Sequence, residues 1–321
     1  MTTVNDFEVP IERFDEFFQG APEEIERRLQ TLRPQALCHS DTSLAPQIES
    51  QIALAQAMQQ RFTEAFETLD RAEQLLGADA PSARVRLLLE RGRVFHQMRR
   101  MTEALPWMLA SYEQSRANGL DYHAVNAAHM AAIVSDAPIE KIRWNQLALQ
   151  VVEASTEART QAWGIVLHNN IGQAYIAAGR FEDALAAFQE CHRLATQQGN
   201  ALVERGARWG IARAQRSLGA RAEALAMQRQ LLDEYEKLER EDAMPLELLR
   251  MARGMVYEEL CELAPDKSCD FATLAVRDLG VNSWFRDLEP ERWSCLLRLA
   301  SRETGETMQE VPDVATRAVV N

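Results

Sequence analysis

Long apolar runs are missing from this chain of 321 residues, and none approaches the ~20 residues that a membrane-crossing helix requires. The opening stretch MTTVNDFEVP has neither the basic start nor the apolar segment of a secretory signal. Cysteine is scarce. The five thiols, at 38, 191, 261, 269 and 295, are odd in number and far apart, which fits reduced intracellular thiols better than a disulfide framework and leads us to expect a cytoplasmic chain. Positive charge is in deficit, with 35 Lys and Arg against 48 Asp and Glu. A net charge of -13 repels phosphate, so neither nucleic acid nor an anionic membrane is an expected partner. The short signatures of common catalysis are absent too: there is no glycine-rich phosphate loop, GxSxG, HExxH or paired CxxC.

Only 14 glycines and 11 prolines interrupt a chain rich in Ala, Leu, Glu, Gln and Arg, the residues that lose least on entering a helix. With 46% apolar residues there is enough hydrophobic surface for a continuous core. The clearest pattern runs from Ile165 to Gly199. Ile165, His168, Ile171, Gly172, Tyr175 and Ile176 recur at three- and four-residue steps, Gly179 breaks the helix, and Ala184, Leu185, Phe188, Cys191 and Leu194 form a second stripe. This spacing predicts two antiparallel helices that approach closely at Gly172 and Ala184.

The pattern repeats. Forty residues on, Ile211, Ala212, Gly219 and Ala224 take the places of Ile171, Gly172, Gly179 and Ala184. Eighty residues back, Gly92, Phe95, Met101, Ala104 and Met108 do the same, and Ala53, Phe62, Ala65, Leu69 and Ala72 form an earlier copy. The copy near Ala132 and Trp144 is degenerate, because Pro138 and SDAPIEK interrupt the usual turn.

These hairpins resemble tetratricopeptide repeats. Ile171-Gly172, Tyr175, Ala184 and Phe188 match the repeat consensus, whereas His168 and Cys191 replace its usual Trp and Ala. The period of about 40 residues is longer than the usual 34 and is similar to the long-helix variety found in kinesin light chains, Leu-Gly-Asn adaptors and Rap-type peptide sensors. The resemblance implies an all-α fold: a right-handed α-solenoid of antiparallel helical hairpins. It divides the chain into an N-terminal helical cap over 1–43, an array of about five hairpins over 44–240, a C-terminal helical cap over 241–300 and a poorly ordered tail over 301–321. Within these, VPIERFDEFF and PEEIERRLQTL read as cap helices, Leu246 to Leu263 as a periodic helix, and Phe271 to Gly280 and Pro290 to Ala300 as two more.

The family geometry also implies which residues of each first helix point into a concave groove. They are Arg86, Arg93 and His96, then Asn126 and His129, then Asn169 and Gln173, and lastly Trp209, Arg213 and Arg216. Such a groove is basic and amide-rich inside an acidic chain. Asn126 and Asn169 are placed to bond a ligand's main chain, and Arg93, Arg213 and Arg216 to hold a carboxylate that supplies their missing counter-charge. The alternative is that Arg and Gln are merely good helix formers on a solvated face.

No metal or cofactor is expected. Cys38-His39 and Cys191-His192 are adjacent pairs, which diverge by about 100° on a helix and have no second pair nearby. Three functions stay open, in this order: a scaffold or adaptor that binds a protein or peptide, acidic or carboxylate-bearing, in the groove; a Rap-like regulator that senses a peptide or effector; and an enzyme with a site in the C-terminal region. A second copy of the chain is a further conceivable partner, through Trp284 and Trp293.

Overall fold

The computed structural model describes residue 18 and residues 20–304 apart from 282. Every regular element among them is helical. Five helix pairs follow one another: α2 (Leu44–Met58) with α3 (Phe62–Gln74), α4 (Pro81–Gln97) with α5 (Met101–Ala117), α6 (Asp121–Val134) with α7 (Pro138–Ala154), α9 (Trp163–Ala177) with α10 (Phe181–Gln197), and α11 (Ala201–Ser217) with α12 (Arg221–Arg240). α1 (Pro22–Leu37) precedes them and packs on α2. A four-residue helix, α8 (Ala158–Gln161), is inserted before α9. After α12 come α13 (Leu246–Leu263), a 3-10 turn at Pro265–Lys267, α14 (Ser268–Leu279), α15 (Ser283–Leu288) and α16 (Pro290–Thr304).

Of the segment VPIERFDEFF only Phe18 is described, and it packs against the apolar cluster that α1 and α2 share. Most of the expected tail, 305–321, lies outside the described residues, while its first four residues complete α16. The chain falls into two compact units, one ending at Leu167 and the other starting at His168.

The turns inside the pairs use one device. After α2, Gln60 turns to φ 62°, its N–H reaches the Ala57 carbonyl and the Arg61 N–H reaches Gln56. After α9, Gly179 adopts φ 70° with the same two bonds, from Gly179 to Ile176 and from Arg180 to Tyr175. This left-handed closure satisfies the last carbonyls of the first helix and reverses the chain within three residues. The residue that opens the second helix is arginine in three pairs, each bonded to an acid three residues on: Arg61 to Glu64, Arg100 to Glu103 and Arg180 to Asp183. The α6–α7 turn differs. Pro138 does not break the pair but opens α7 at a position where its missing N–H costs nothing, and Ser135 and Ala137 stay extended.

Close helix contact depends on small residues. In the second unit the Phe188 ring of α10, fully buried, lies between Gly172 of α9 and Gly210 of α11. A Cβ at Gly172 would come within 2.6 Å of that ring, and one at Gly210 also within 2.6 Å, so neither position has room for a side chain. In the first unit the approach at Gly92 is looser, a Cβ there standing 3.1 Å from the Ala104 carbonyl oxygen and from Met108. The cores differ in make-up. The first unit gathers small alanines of α6 with Met108, Trp144 and Leu167, and the second centres on Leu231, Tyr257, Leu260, Leu279 and Phe285. Cys191 and Cys261 are packed within the second unit, and burial pushes their thiols up to about 11 and about 12, so both are protonated and inert at neutral pH.

Candidate functional site

First helices touch first helices: α2 packs on α4, α4 on α6, and, in the second unit, α11 on α13. Within each unit we term these stacked first helices the inner layer, and the second helices pack between successive first helices, α3 between α2 and α4, α5 between α4 and α6, and α12 between α11 and α13. The residues expected to bind a ligand lie on the first helices α4, α6, α9 and α11, and the structure gives most of them partners inside the chain.

In the first unit the layer carries a polar relay. Gln47 of α2 accepts from Arg86 of α4 at 3.1 Å, and Gln51 donates to Glu90 at 3.0 Å. Glu90, 1% exposed, is paired with Arg93 at 3.1 Å, and Arg93 in turn donates to the Asn126 side-chain oxygen of α6 at 2.7 Å. A buried carboxylate needs such partners, because its desolvation is offset only when charge and hydrogen bonds both reach it. One turn further along α6, His129 rests against the Trp163 ring with centroids 5.1 Å apart. Burial lowers its pKa to about 4, and the Arg93 charge adds to the effect. His96 is shifted the same way, by burial first and then by Arg93 and Arg99.

In the second unit Asn169 and Gln173 of α9 are partly exposed. Asn169 makes one long contact of 3.4 Å to Asn170, and Gln173 has no side-chain partner among the described residues. Arg213 and Arg216 of α11 share one carboxylate, Glu259 of α13, at 3.3 and 2.8 Å. Arg213 also lies over the Trp209 ring at 5.3 Å, and burial lowers its pKa even though Glu259 opposes the shift. Trp209 is 8% exposed and donates its indole N–H to the Met255 carbonyl at 3.1 Å, so it acts as a packed anchor. Beside this cluster, Arg292 of α16 holds Glu258 at 2.7 Å and covers the Phe285 ring at 5.0 Å.

The expected shortage of counter-charge is therefore corrected. Glu90 and Glu259 supply it from within the chain, because guanidinium groups this far from water need a partner in the fold itself. Sequence reasoning missed both glutamates. The available signal was their position: Glu90 lies three residues before Arg93, and Glu259 falls on the inner face of a helix placed outside the array. In the C-terminal region the carboxylates of Glu258 and Glu289 are ion-paired with Arg292, and no group of three or more His, Cys, Asp or Glu is placed to hold a metal among the described residues. No helix of the described residues is long and apolar enough to cross a membrane. Of the two tryptophans singled out near the C-terminal end, Trp293 meets Phe285 edge-on, and the side chain of Trp284 lies outside the described residues.

Paired helices, left-handed turns, glycine seams and an inner layer of first helices define an α-helical repeat protein with the tetratricopeptide-like fold. Residues 166–197 match the tetratricopeptide repeat model. Among curated proteins no sequence matches the chain. Solved structures do. A Rap protein complexed with Competence and Sporulation Factor aligns with a TM-score of 0.57 at 13% identity, over 92% of this chain and 84% of that one. NprR in complex with its cognate peptide NprX gives 0.54 at 16% identity, again over 92% and 84%. A signal transduction ATPase with a tetratricopeptide repeat sensor from Pyrococcus horikoshii gives 0.61 at 13% identity, covering 92% of this chain but 46% of that one. At such identities the likeness is one of fold.

Proposed function

We propose that the chain is a cytoplasmic, non-enzymatic adaptor that takes a protein segment or extended peptide on the inner layer of first helices. The polar relay Gln51–Glu90–Arg93–Asn126 carries this reading. Apolar residues of the same size would stabilise the α2–α4–α6 contacts at least as well as these buried charges do. A row of polar groups held rigid by one another is, however, what a ligand backbone requires, since little further ordering is then lost on binding. In this reading the amides of Asn126, Asn169 and Gln173 bond a main chain. Arg93, Arg213 and Arg216 recognise acidic groups while shared with Glu90 and Glu259, and Arg86, His96, His129 and Trp209 hold the layer in shape. Helix α1 and the helices after α12 cover the ends of the array.

A second reading, a regulator that senses a peptide, is favoured by the cognate peptide named with NprR. The test serves both. Purified protein is passed over an array of immobilised random decapeptides, and a retained peptide is titrated by fluorescence anisotropy. Arg93→Ala and Asn126→Ala each weaken it by at least about tenfold, whereas Arg229→Ala, exposed on α12, changes it by less than about twofold. An array on which nothing is retained, or equal small effects at all three positions, contradicts the proposal.

A further inference from the structure

The second unit has an open cleft of about 450 Å³ between the C-terminal half of α12, α13 and α14. Its size is that of a small-molecule site, and its walls are charged rather than apolar. At its base lies Arg253 of α13, only 5% exposed. This guanidinium is fixed from two other helices: Asp278 of α14, 2% exposed, accepts from its Nε at 2.6 Å, and Glu239 of α12 accepts from Nη1. Arg277 holds the second Asp278 oxygen at 2.9 Å. Both acids that reach Arg253, the buried Asp278 and the exposed Glu239, are thus already taken.

Two further arginines, Arg240 and Arg250, line the same cleft and have no ion pair among the described residues. With Glu236 at the rim, the lining comprises four arginines and three carboxylates, one positive charge in excess within a chain whose total is -13. Tyr257 forms an aromatic wall, stacked on Phe271 at 6.2 Å. Arginine forks match oxyanions bidentately. A carboxylate offers two oxygens, whereas a phosphoryl group offers three and can engage more than one fork. We propose that this cleft is a second binding site, for the phosphoryl group of a small ligand or for free phosphate, with Arg250 and Arg240 as its grip and Arg253 as its fixed base.

Inorganic phosphate is the probe, titrated calorimetrically into the full chain at low ionic strength, with succinate in a parallel arm. Phosphate is expected to bind saturably and more tightly than succinate. Arg250→Ala, which removes no ion pair seen in the structure, weakens it by at least about tenfold, and Arg240→Ala with Arg250→Ala abolishes it. Arg229→Ala leaves it within about twofold. Circular dichroism and the melting temperature confirm that each variant is folded. The proposal is overturned by any of three results: no saturable phosphate binding, tighter binding of succinate than of phosphate, or a loss in Arg229→Ala equal to that in Arg250→Ala.

Discussion

At the scale of single residues, His129 makes the first unit sensitive to acid. Its pKa lies near 4 in the fold against 6.5 when free, because burial and then Arg93 disfavour the charged ring. The unfolded chain therefore takes up the proton first. Stability from this group is fully present above about pH 6.5 and is lost as the pH falls toward 4, by up to ~3 kcal/mol at 1.36 kcal/mol per pKa unit. His96 adds in the same direction. Urea unfolding between roughly pH 7.5 and pH 4.5 should show a shallower loss for His129→Gln than for the parent chain; parallel curves would refute this. Gln60 and Arg99 are a second residue-scale test. Both stand exposed in left-handed backbone, at φ 62° and 60°, where Gly179 and Gly219 occupy the corresponding turns. A side chain in that conformation costs about 1 kcal/mol, so Gln60→Gly and Arg99→Gly should each stabilise the chain by roughly 0.5 kcal/mol after the added freedom of the unfolded state is counted. A lower urea midpoint for either variant would contradict the turn assignment.

Among elements, the helix pairs are the part most legible in the sequence. Ile171, Gly172 and Tyr175 mark one apolar stripe, Ala184 and Phe188 the other, and the break between them falls at Gly179, where the structure turns. Packing follows directly. Because the Phe188 ring fills the space beside both Gly172 and Gly210, Gly172→Ala and Gly210→Ala should each destabilise by ~1 to 3 kcal/mol through overpacking. The two changes press on one ring, so their combined effect should depart from the sum; strict additivity would show that the glycines do not share it. Gly210 was not apparent from the repeat pattern, since its contact reaches back to the preceding pair. The α8 insertion and the use of Pro138 to open α7 were likewise hidden, because periodicity reports which face is apolar and not how two helices are joined.

Taken whole, the chain shows how far sequence reasoning reaches into a repeat fold. The inner positions could be transferred from one copy to the next because each copy obeys the same helical spacing. Their partners could not. Arg216 finds Glu259 43 residues away, and Gln51 finds Glu90 39 residues away, pairings that exist only once neighbouring first helices are stacked. An inner layer balanced by its own glutamates also changes what a ligand must do: it shares these arginines rather than neutralising them, so binding should weaken with salt less steeply than at a bare cationic groove. The central claim is that this layer, and not the outer helices, receives the partner. Amide hydrogen exchange, with and without a peptide selected on the array, tests it most directly. The account predicts slowed exchange in first helices, α4 and α6 in the first unit or α11 and α13 in the second, with α3, α5, α10 and α12 unchanged. Protection confined to those second helices would contradict it.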